Sequence, residues 1–577
     1  MKKLYILFLT FSISLISQQS YIDYQSPFHP TVSKSGMVVS QNYLSSDIGV
    51  QILEKGGNAV DAAVAVGFSL AITLPRAGNL GGGGFMLVYI KEKDEIFYID
   101  YRSKSPLNSS IENIFDIAKS RNFKPQDFTN DMFDKTRYGY KAPAVPGTVA
   151  GLLEAHKNFG KLPLQEVLEP VIKQAEQGII VSYDLSKAIE DTEQLKADPE
   201  SFKIYFRDGK AIKQNSIFKR PDLAKTFKII SKQGRDGFYK GEVAENILKA
   251  MNINGGLFSI KDFESYEAKF SSPIAASYRG NLVFTAGPPS GGGITLLTAL
   301  NVLSYFDLSK FMSDSALTYH LLSEAIRRGH NNRSHFVGDP EYFNVPIEDL
   351  LSKNRIEHLV KSIDLKKATK STVVKPFELT TESRDTTHFS IIDKDGNAVS
   401  NTYTLGYSFG SGVTIPGTGI LMNNQMNNFA YRHGDKSIRG RGASTGNRFE
   451  AGKKPMSTMA PTMIFDKNNN LMLITGSPGG SLIPAAILRV ISGVIDFNLD
   501  IGQATMLPRV HKDWPTTGIL YERTLNADSI AGIRKIGHKM TPEHTMGSTQ
   551  SIHIVDGVNY GYADLRRPNS SVATQVN

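Results

Sequence analysis

The sequence predicts an α/β protein whose helix-rich front half meets a strand-rich back half close to residue 386. Up to about residue 370, segments such as VAGLLEAHKNF (149–159) and ALTYHLLSEAIRRG (316–329) repeat apolar residues three and four apart, the spacing of one buried helix face. From 386 onward short alternating runs take over, HFSIID, AVSNTYTL, TMIFD, LMLITG and SIHIVD, separated by glycine turns, the pattern of half-buried strands. The chain has 577 residues, and single cores stop growing near ~250–300 residues. Two lobes, or one large layered domain with a helical annex, are therefore expected, and the change of character at 386 is a candidate subunit boundary.

Taken in order, residues 1–19 (MKKLYILFLTFSISLISQQ) pair two lysines with an apolar run from Leu4 to Ile16 and then small polar residues. That is the layout of a secretory leader and is short for a membrane span. No later segment offers ~18 consecutive apolar residues, so a soluble exported protein, periplasmic or secreted, is expected. Val39 to Leu74 reads as helix, glycine turn at Gly56 and Gly57, then an alanine-rich helix able to pack closely on a sheet. AGNLGGGGFMLVYI (77–90) is a glycine turn feeding an apolar strand. Its four glycines lack the Gly-Lys-Ser/Thr and the strand-to-helix order of a phosphate loop. The SGGG at 290–293 opens another helix. His320, His330 and His335 lie on or beside helices without a matching acidic ligand pattern, so surface or structural roles, and no metal, are expected.

Composition narrows the chemistry. The chain has no cysteine, which excludes a thiol nucleophile, cysteine-ligated metals and disulfides. The formal charge of +9 is carried by scattered rather than clustered lysines and arginines, a solvated basic surface rather than a nucleic-acid face.

The segment RDTTHFSIIDKDGNAVSNTYTLG (384–406) has two alternating runs around Asp393-Lys394-Asp395-Gly396-Asn397, whose Asp-Gly and Asn are hairpin-turn residues. A turn centred on Asp395 pairs Ile391 with Val399, Thr387 with Tyr403 and Thr386 with Thr404, so two threonines converge where the hairpin opens. A hydroxyl is a weak nucleophile without a base, and a free α-amino group, with a pKa of about 7.7–8, is a usable one. Only an N-terminal residue carries that group, so Thr386 gains it only if the Asp385–Thr386 bond is cut. On this segment alone the simpler reading is that these threonines are β-branched strand residues.

Further motifs change the balance: GGNAVDAAVAVGFSLAI, NLGGGGFMLV, DYRSKSP, APAVPGTVAGLLEAHKNFG, AGPPSGGG, TTHFSIIDKDGNAVSNTYTL, GILMNNQMNNF, KKPMSTMAPT, GSPGG and MGSTQSI. In these, colinearly and over nearly its whole mature length, the chain resembles the gamma-glutamyltransferase (glutathione hydrolase) family. The resemblance implies a four-layer α/β/β/α N-terminal-nucleophile sandwich with a helix-rich large-subunit lobe. It implies a precursor that cleaves itself into a large subunit (20–385) and a small subunit (386–577), which stay together as a heterodimer. The implied activity cuts glutathione or other gamma-glutamyl donors and passes the acyl group to water, amino acids or short peptides, with no cofactor. The leading threonine of TTHFS, Thr386, is then the nucleophile, and Thr404 the second threonine that hydrogen-bonds its hydroxyl. Gly479 and Gly480 of GSPGG match the oxyanion donors, Arg102 of DYRSKSP the arginine that holds the donor α-carboxylate, and Ser457 and Thr458 two hydroxyls that assist it. Gln425 of NNQMNNF matches a donor-binding residue.

Two departures bear on specificity. Gly406 stands where the family often has asparagine or glutamate, and Asn428 where it usually has the amine-binding aspartate. The stretch Phe429 to Ser457 keeps the length of a family lid loop but is rich in Lys and Arg, so a basic, mobile lid is expected. Two other readings follow. One is an N-acylase of the same fold for donors lacking the α-amine, such as glutaryl amides, favoured by Gly406 and Asn428. The other is a non-catalytic peptide-binding paralogue, against which the intact TTH, Thr404 and GSPGG argue.

Overall fold

The computed structural model describes residues 27–118, 129–370, 385–431, 445–514 and 518–576. The leader (1–19) and the middle of the lid (432–444) lie outside the described residues. No helix among the described residues is long and apolar enough to cross a membrane.

Two seven-stranded antiparallel sheets form the centre. The first runs, edge to edge, Lys269–Ser271, Glu95–Tyr101, Gly83–Ile90, Ala398–Thr404, Thr387–Ile392, Met37–Ser40 and Ser571–Thr574. The second runs Ile274–Tyr278, Asn281–Thr285, Thr462–Phe465, Leu471–Thr475, Gln550–Val555, Val558–Ala563 and Thr31–Ser33. Successive strand residues point to opposite faces, and the two cores divide the first sheet accordingly. Val38, Met86, Val88 and Val399 join the core beneath the Ala59–Thr73 and Thr148–Phe159 helices. Met37, Val39, Phe85 and Leu87 join the core shared with the second sheet and the Gly291–Leu303, Ala316–Phe336 and Ile483–Ile495 helices. The result is the expected α/β/β/α layering.

The boundary at 386 is not a boundary between lobes. Each sheet draws strands from both sides of it, and the nucleophile hairpin lies between Gly83–Ile90 and Met37–Ser40. In the front half the Met37–Ser40 and Gly83–Ile90 strands are buried on both faces, which erases the alternation that marks a strand. For the same reason Val39 and Ser40, read as helical, are strand, and the first helix starts at Tyr43, capped by Asn42.

The four glycines have a packing role. A Cβ on Gly82 would lie 2.2 Å from the Thr404 carbonyl, and one on Gly84 2.4 Å from Tyr403 Cβ, so only glycine lets Gly83–Ile90 lie this close against the Ala398–Thr404 strand. Ser290 caps the Gly291–Leu303 helix by accepting from Gly293 N at 3.1 Å. His320 and His330 are fully buried rather than at the surface.

Candidate active site

The hairpin has the register that its alternation requires: Thr387 pairs with Tyr403, Ile391 with Val399 and Ile392 with Ala398. Asp393 fixes the turn, its carboxylate accepting from the backbone N–H of Asp395 and Asn397 (both 2.9 Å) and from Ala59 N (2.9 Å) at the start of the alanine-rich helix. That anchor sets where the hairpin opens, and Asp385, Thr386 and Thr404 meet there.

Thr386 and Thr404 are both buried. The Thr404 hydroxyl accepts from Gly406 N at 2.9 Å and stands 2.8 Å from the Asp385 carbonyl oxygen. A hydroxyl has one proton, so with its acceptor side facing an N–H it donates to that carbonyl. In the continuous chain Thr404 therefore addresses the carbonyl oxygen of the residue preceding Thr386, not the Thr386 hydroxyl. Gly406 makes this possible: its φ is +108°, and a Cβ there would lie 2.1 Å from Asn424 Oδ1. Asp385 is held from the other side by Arg76 at 2.6 Å, with Arg567 at 3.7 Å.

One cleft is lined by Thr386, Thr404, Gly406, Asn428, Ser457, Thr458, Gly480 and Arg333, with Met456 and Met459. Gly480 opens the turn that runs into the Ile483–Ile495 helix, and both it (φ +58°) and Gly479 (φ +134°) adopt backbone that L side chains avoid. Ser457 and Thr458 are set by the SGGG segment: Gly291 N donates to Ser457 O at 2.7 Å, and a Cβ on Gly292 would lie 2.0 Å from Thr458 O.

Two expected site residues stand behind this lining rather than in it. Arg102, fully buried at the end of the Glu95–Tyr101 strand, donates Nη1 to Gln425 Oε1 at 2.6 Å and Nε to Pro455 O at 3.1 Å. Gln425 Nε2 in turn donates to Thr404 O at 2.7 Å. Arg102 is thus joined through Gln425 to the second threonine.

The cation that does reach the cleft is Arg333, which the sequence reading missed. It lies four residues beyond Gly329, on the face of the Ala316–Phe336 helix turned to Gly291–Leu303. A Cβ on Gly329 would lie 2.3 Å from Thr295 O, and one on Gly291 2.4 Å from Arg333 Cγ. An arginine at a core-facing position one turn after a glycine was the available signal.

His388 joins the hairpin to the second sheet. Its ring sits against Gly476, where a Cβ would lie 2.3 Å from Cε1, and bonds Thr402 Oγ1 (2.8 Å) and Ser390 Oγ (3.1 Å). Burial pushes its pKa down to about 3, against ~6.5 unfolded. Between those values the unfolded chain binds more protons, so this contribution to stability is complete above pH 6.5 and is lost as pH falls toward 3. Its steepest slope is about 1.4 kcal/mol per pH unit. Urea unfolding between pH 7 and 4.5 is expected to show a flatter pH dependence in His388→Asn than in the natural protein.

Comparison with known proteins places this geometry among relatives. The family model described as gamma-glutamyltranspeptidase matches residues 45–574. A glutathione hydrolase proenzyme of Escherichia coli (strain K12) is 38% identical over 551 residues, 95% of this chain and 93% of that one. The crystal structure of a cephalosporin acylase from Bacillus halodurans is similar with a TM-score of 0.83 at 27% identity, over 98% of this chain and 100% of the other. A Helicobacter pylori gamma-glutamyltranspeptidase structure, 36% identical, matches with a TM-score of 0.53 over 58% of this chain and 93% of its own.

Proposed function

Because the chain belongs to the gamma-glutamyltranspeptidase family, we propose that it is exported as a precursor, cuts itself before Thr386 and then cleaves gamma-glutamyl amides through a threonyl acyl-enzyme. The large fragment runs from the leader cleavage site to Asp385, the small one from Thr386 to Asn577, and the interleaved sheets hold them together. The observation that carries this reading is the Thr404 hydroxyl on the Asp385 carbonyl, 2.8 Å away, at the mouth of a cleft lined by Thr386.

In the first step Thr386 Oγ attacks the Asp385 carbonyl carbon, whose oxygen Thr404 polarises. The C–N bond breaks, the nitrogen becomes the α-amine of Thr386, and water hydrolyses the resulting ester to an Asp385 carboxylate and a free hydroxyl. In turnover that amine takes the hydroxyl proton as Oγ attacks the donor carbonyl, and hands it to the leaving amine. The N–H groups at Gly479 and Gly480 face the developing oxyanion, with no side chain in the way. Ser457 and Thr458, with the charge of Arg333 on the cleft wall, hold the donor carboxylate and Asn428 faces its amine end, while Arg102 and Gln425 support Thr404 from behind the lining. Water, an amino acid or a short peptide then takes the acyl group from Thr386.

Thr404→Ala removes the hydroxyl that orients the reacting carbonyl and is expected to slow self-cleavage by about 10²-fold. Thr404→Ser should retain most of the rate. Gel densitometry of precursor against fragments after expression checks both. Near-normal processing in Thr404→Ala would contradict the assigned role.

A second reading has its own support. The described residues that line the cleft include no carboxylate; they carry the cation Arg333 and the neutral amide Asn428. An α-ammonium finds no anionic partner among the described lining residues, so donors without it, such as glutaryl amides, should compete well, in keeping with similarity to an acylase structure. Charge-assisted hydrogen bonds are about twice as strong as neutral ones. Asn428→Asp is therefore expected to raise the ratio of kcat/KM for gamma-glutamyl over glutaryl p-nitroanilide by about tenfold. An unchanged ratio would mean that Asn428 does not face the donor amine.

A further inference from the structure

Two buried clusters of imidazole and carboxylate lie outside the cleft, and they differ in how far the imidazole nitrogens are already engaged. In the first, His320 Nδ1 and His538 Nε2 are 2.7 Å apart beside Glu324. Both Glu324 oxygens are taken, Oε1 by Lys512 Nζ at 2.8 Å and Oε2 by Arg328 Nη1 at 2.6 Å, with Arg327 at 3.6 Å. A further cation would meet three positive side chains, and this cluster is a closed charge network joining the two halves of the chain.

In the second cluster imidazole nitrogens remain unmatched. His330, His511 and Asp513 bring one donor atom each within 4.8 Å of one another. His330 Nδ1 lies 3.7 Å from Asp513 Oδ1 and His511 Nε2 lies 3.9 Å from Asp513 Oδ2, both too long for hydrogen bonds. The two rings meet edge to face at 5.0 Å. His330 is fully buried, and neither of its ring nitrogens has a hydrogen-bond partner; His511 is buried too, and its Nδ1 has none. A neutral imidazole carries both an N–H and a lone pair, and leaving either unmade in the interior is destabilising. Among the described residues no hydrogen bond offsets that loss at His330.

We propose that His330, His511 and Asp513 bind a divalent transition-metal cation of the zinc class. Two imidazoles and a carboxylate are the nitrogen and oxygen donors that such an ion takes at about 2.0–2.2 Å. Tetrahedral bonds of that length place donors roughly 3.3–3.5 Å apart, so side-chain rotation has to draw together donors that now lie within 4.8 Å of one another. Trp514 N donates to Asp513 Oδ1 at 2.8 Å, the kind of outer contact that orients a ligating carboxylate. Arg333, one turn along the helix from His330, is a cation whose field reaches the cluster and tempers its affinity.

The location gives the site a purpose. His330 belongs to the Ala316–Phe336 helix before residue 386, whereas His511 and Asp513 follow it. His330 also lies against the backbone of Ser481, next to Gly480, though outside hydrogen-bond geometry. A bound ion would tie the two fragments together behind the Gly479-Gly480 turn and stiffen it.

The test uses untagged, purified full-length protein, stripped with a chelator, desalted and titrated with Zn²⁺. A single equivalent per chain is expected by elemental mass spectrometry, together with a rise in thermal midpoint on adding Zn²⁺. In His330→Asn and in Asp513→Asn, each shown to be folded by circular dichroism, binding should weaken by at least about tenfold and the thermal response vanish. His538→Asn, in the closed network, should bind zinc as the natural protein does. No stoichiometric uptake by the natural protein, or equal uptake by the His330 and Asp513 variants, would overturn the proposal. Either result leaves the reading of the Thr386 site untouched, because zinc uptake is measured without turnover.

Discussion

Thr386→Ala is expected to yield one uncut chain with no measurable amidase activity, a loss on the order of 10⁴-fold or more. The substitution removes in one atom the nucleophile of both reactions: without Oγ nothing attacks the Asp385 carbonyl, so the α-amine that serves as base in turnover is never released. The surrounding fold should be unaffected, because the strand begins at Thr387 and the hairpin is fixed by Asp393 at its far end. Intact mass and circular dichroism separate this outcome from misfolding. Thr386→Ser, which keeps a hydroxyl, should still process, more slowly.

Gly480→Val carries the second largest effect. Gly480 has φ +58° and lines the cleft beside Thr386. A β-branched residue is strained in that region, so the backbone must rotate and carry its N–H away from the oxyanion position. Loss of one such donor costs about 10²–10³ in kcat. The expected signature is a fall in kcat for a gamma-glutamyl p-nitroanilide, with KM changed far less. A fall confined to KM would place Gly480 in ground-state binding instead.

Much of this site was legible because hairpin pairing is local. Turn residues at 393–397 and strict alternation define a register, and that register alone brings Thr386 to Thr404. The GSPGG and PMSTMAP segments were legible through resemblance, since no local pattern says which cleft a glycine turn faces. Long-range packing hid the rest. Arg102 stands behind Gln425, and the helix that carries Arg333 reads as an ordinary buried helix. Gly406 reads as a missing polar side chain, yet here it is a backbone requirement: its positive φ and the nearby Asn424 leave no room for a Cβ, and its N–H directs the Thr404 proton. The change of composition at 386 coincides with the proposed cut but not with a structural boundary, because both sheets draw strands from each side of it. Asp513 escaped notice as a partner for His330 because only the folded chain brings them together.

N-terminal sequencing of the purified, active natural protein tests the central claim most directly. Two chains are expected, the smaller beginning Thr386-Thr387-His388-Phe389. A single active chain that spans residue 386, or an active small fragment beginning at any other residue, would contradict the account.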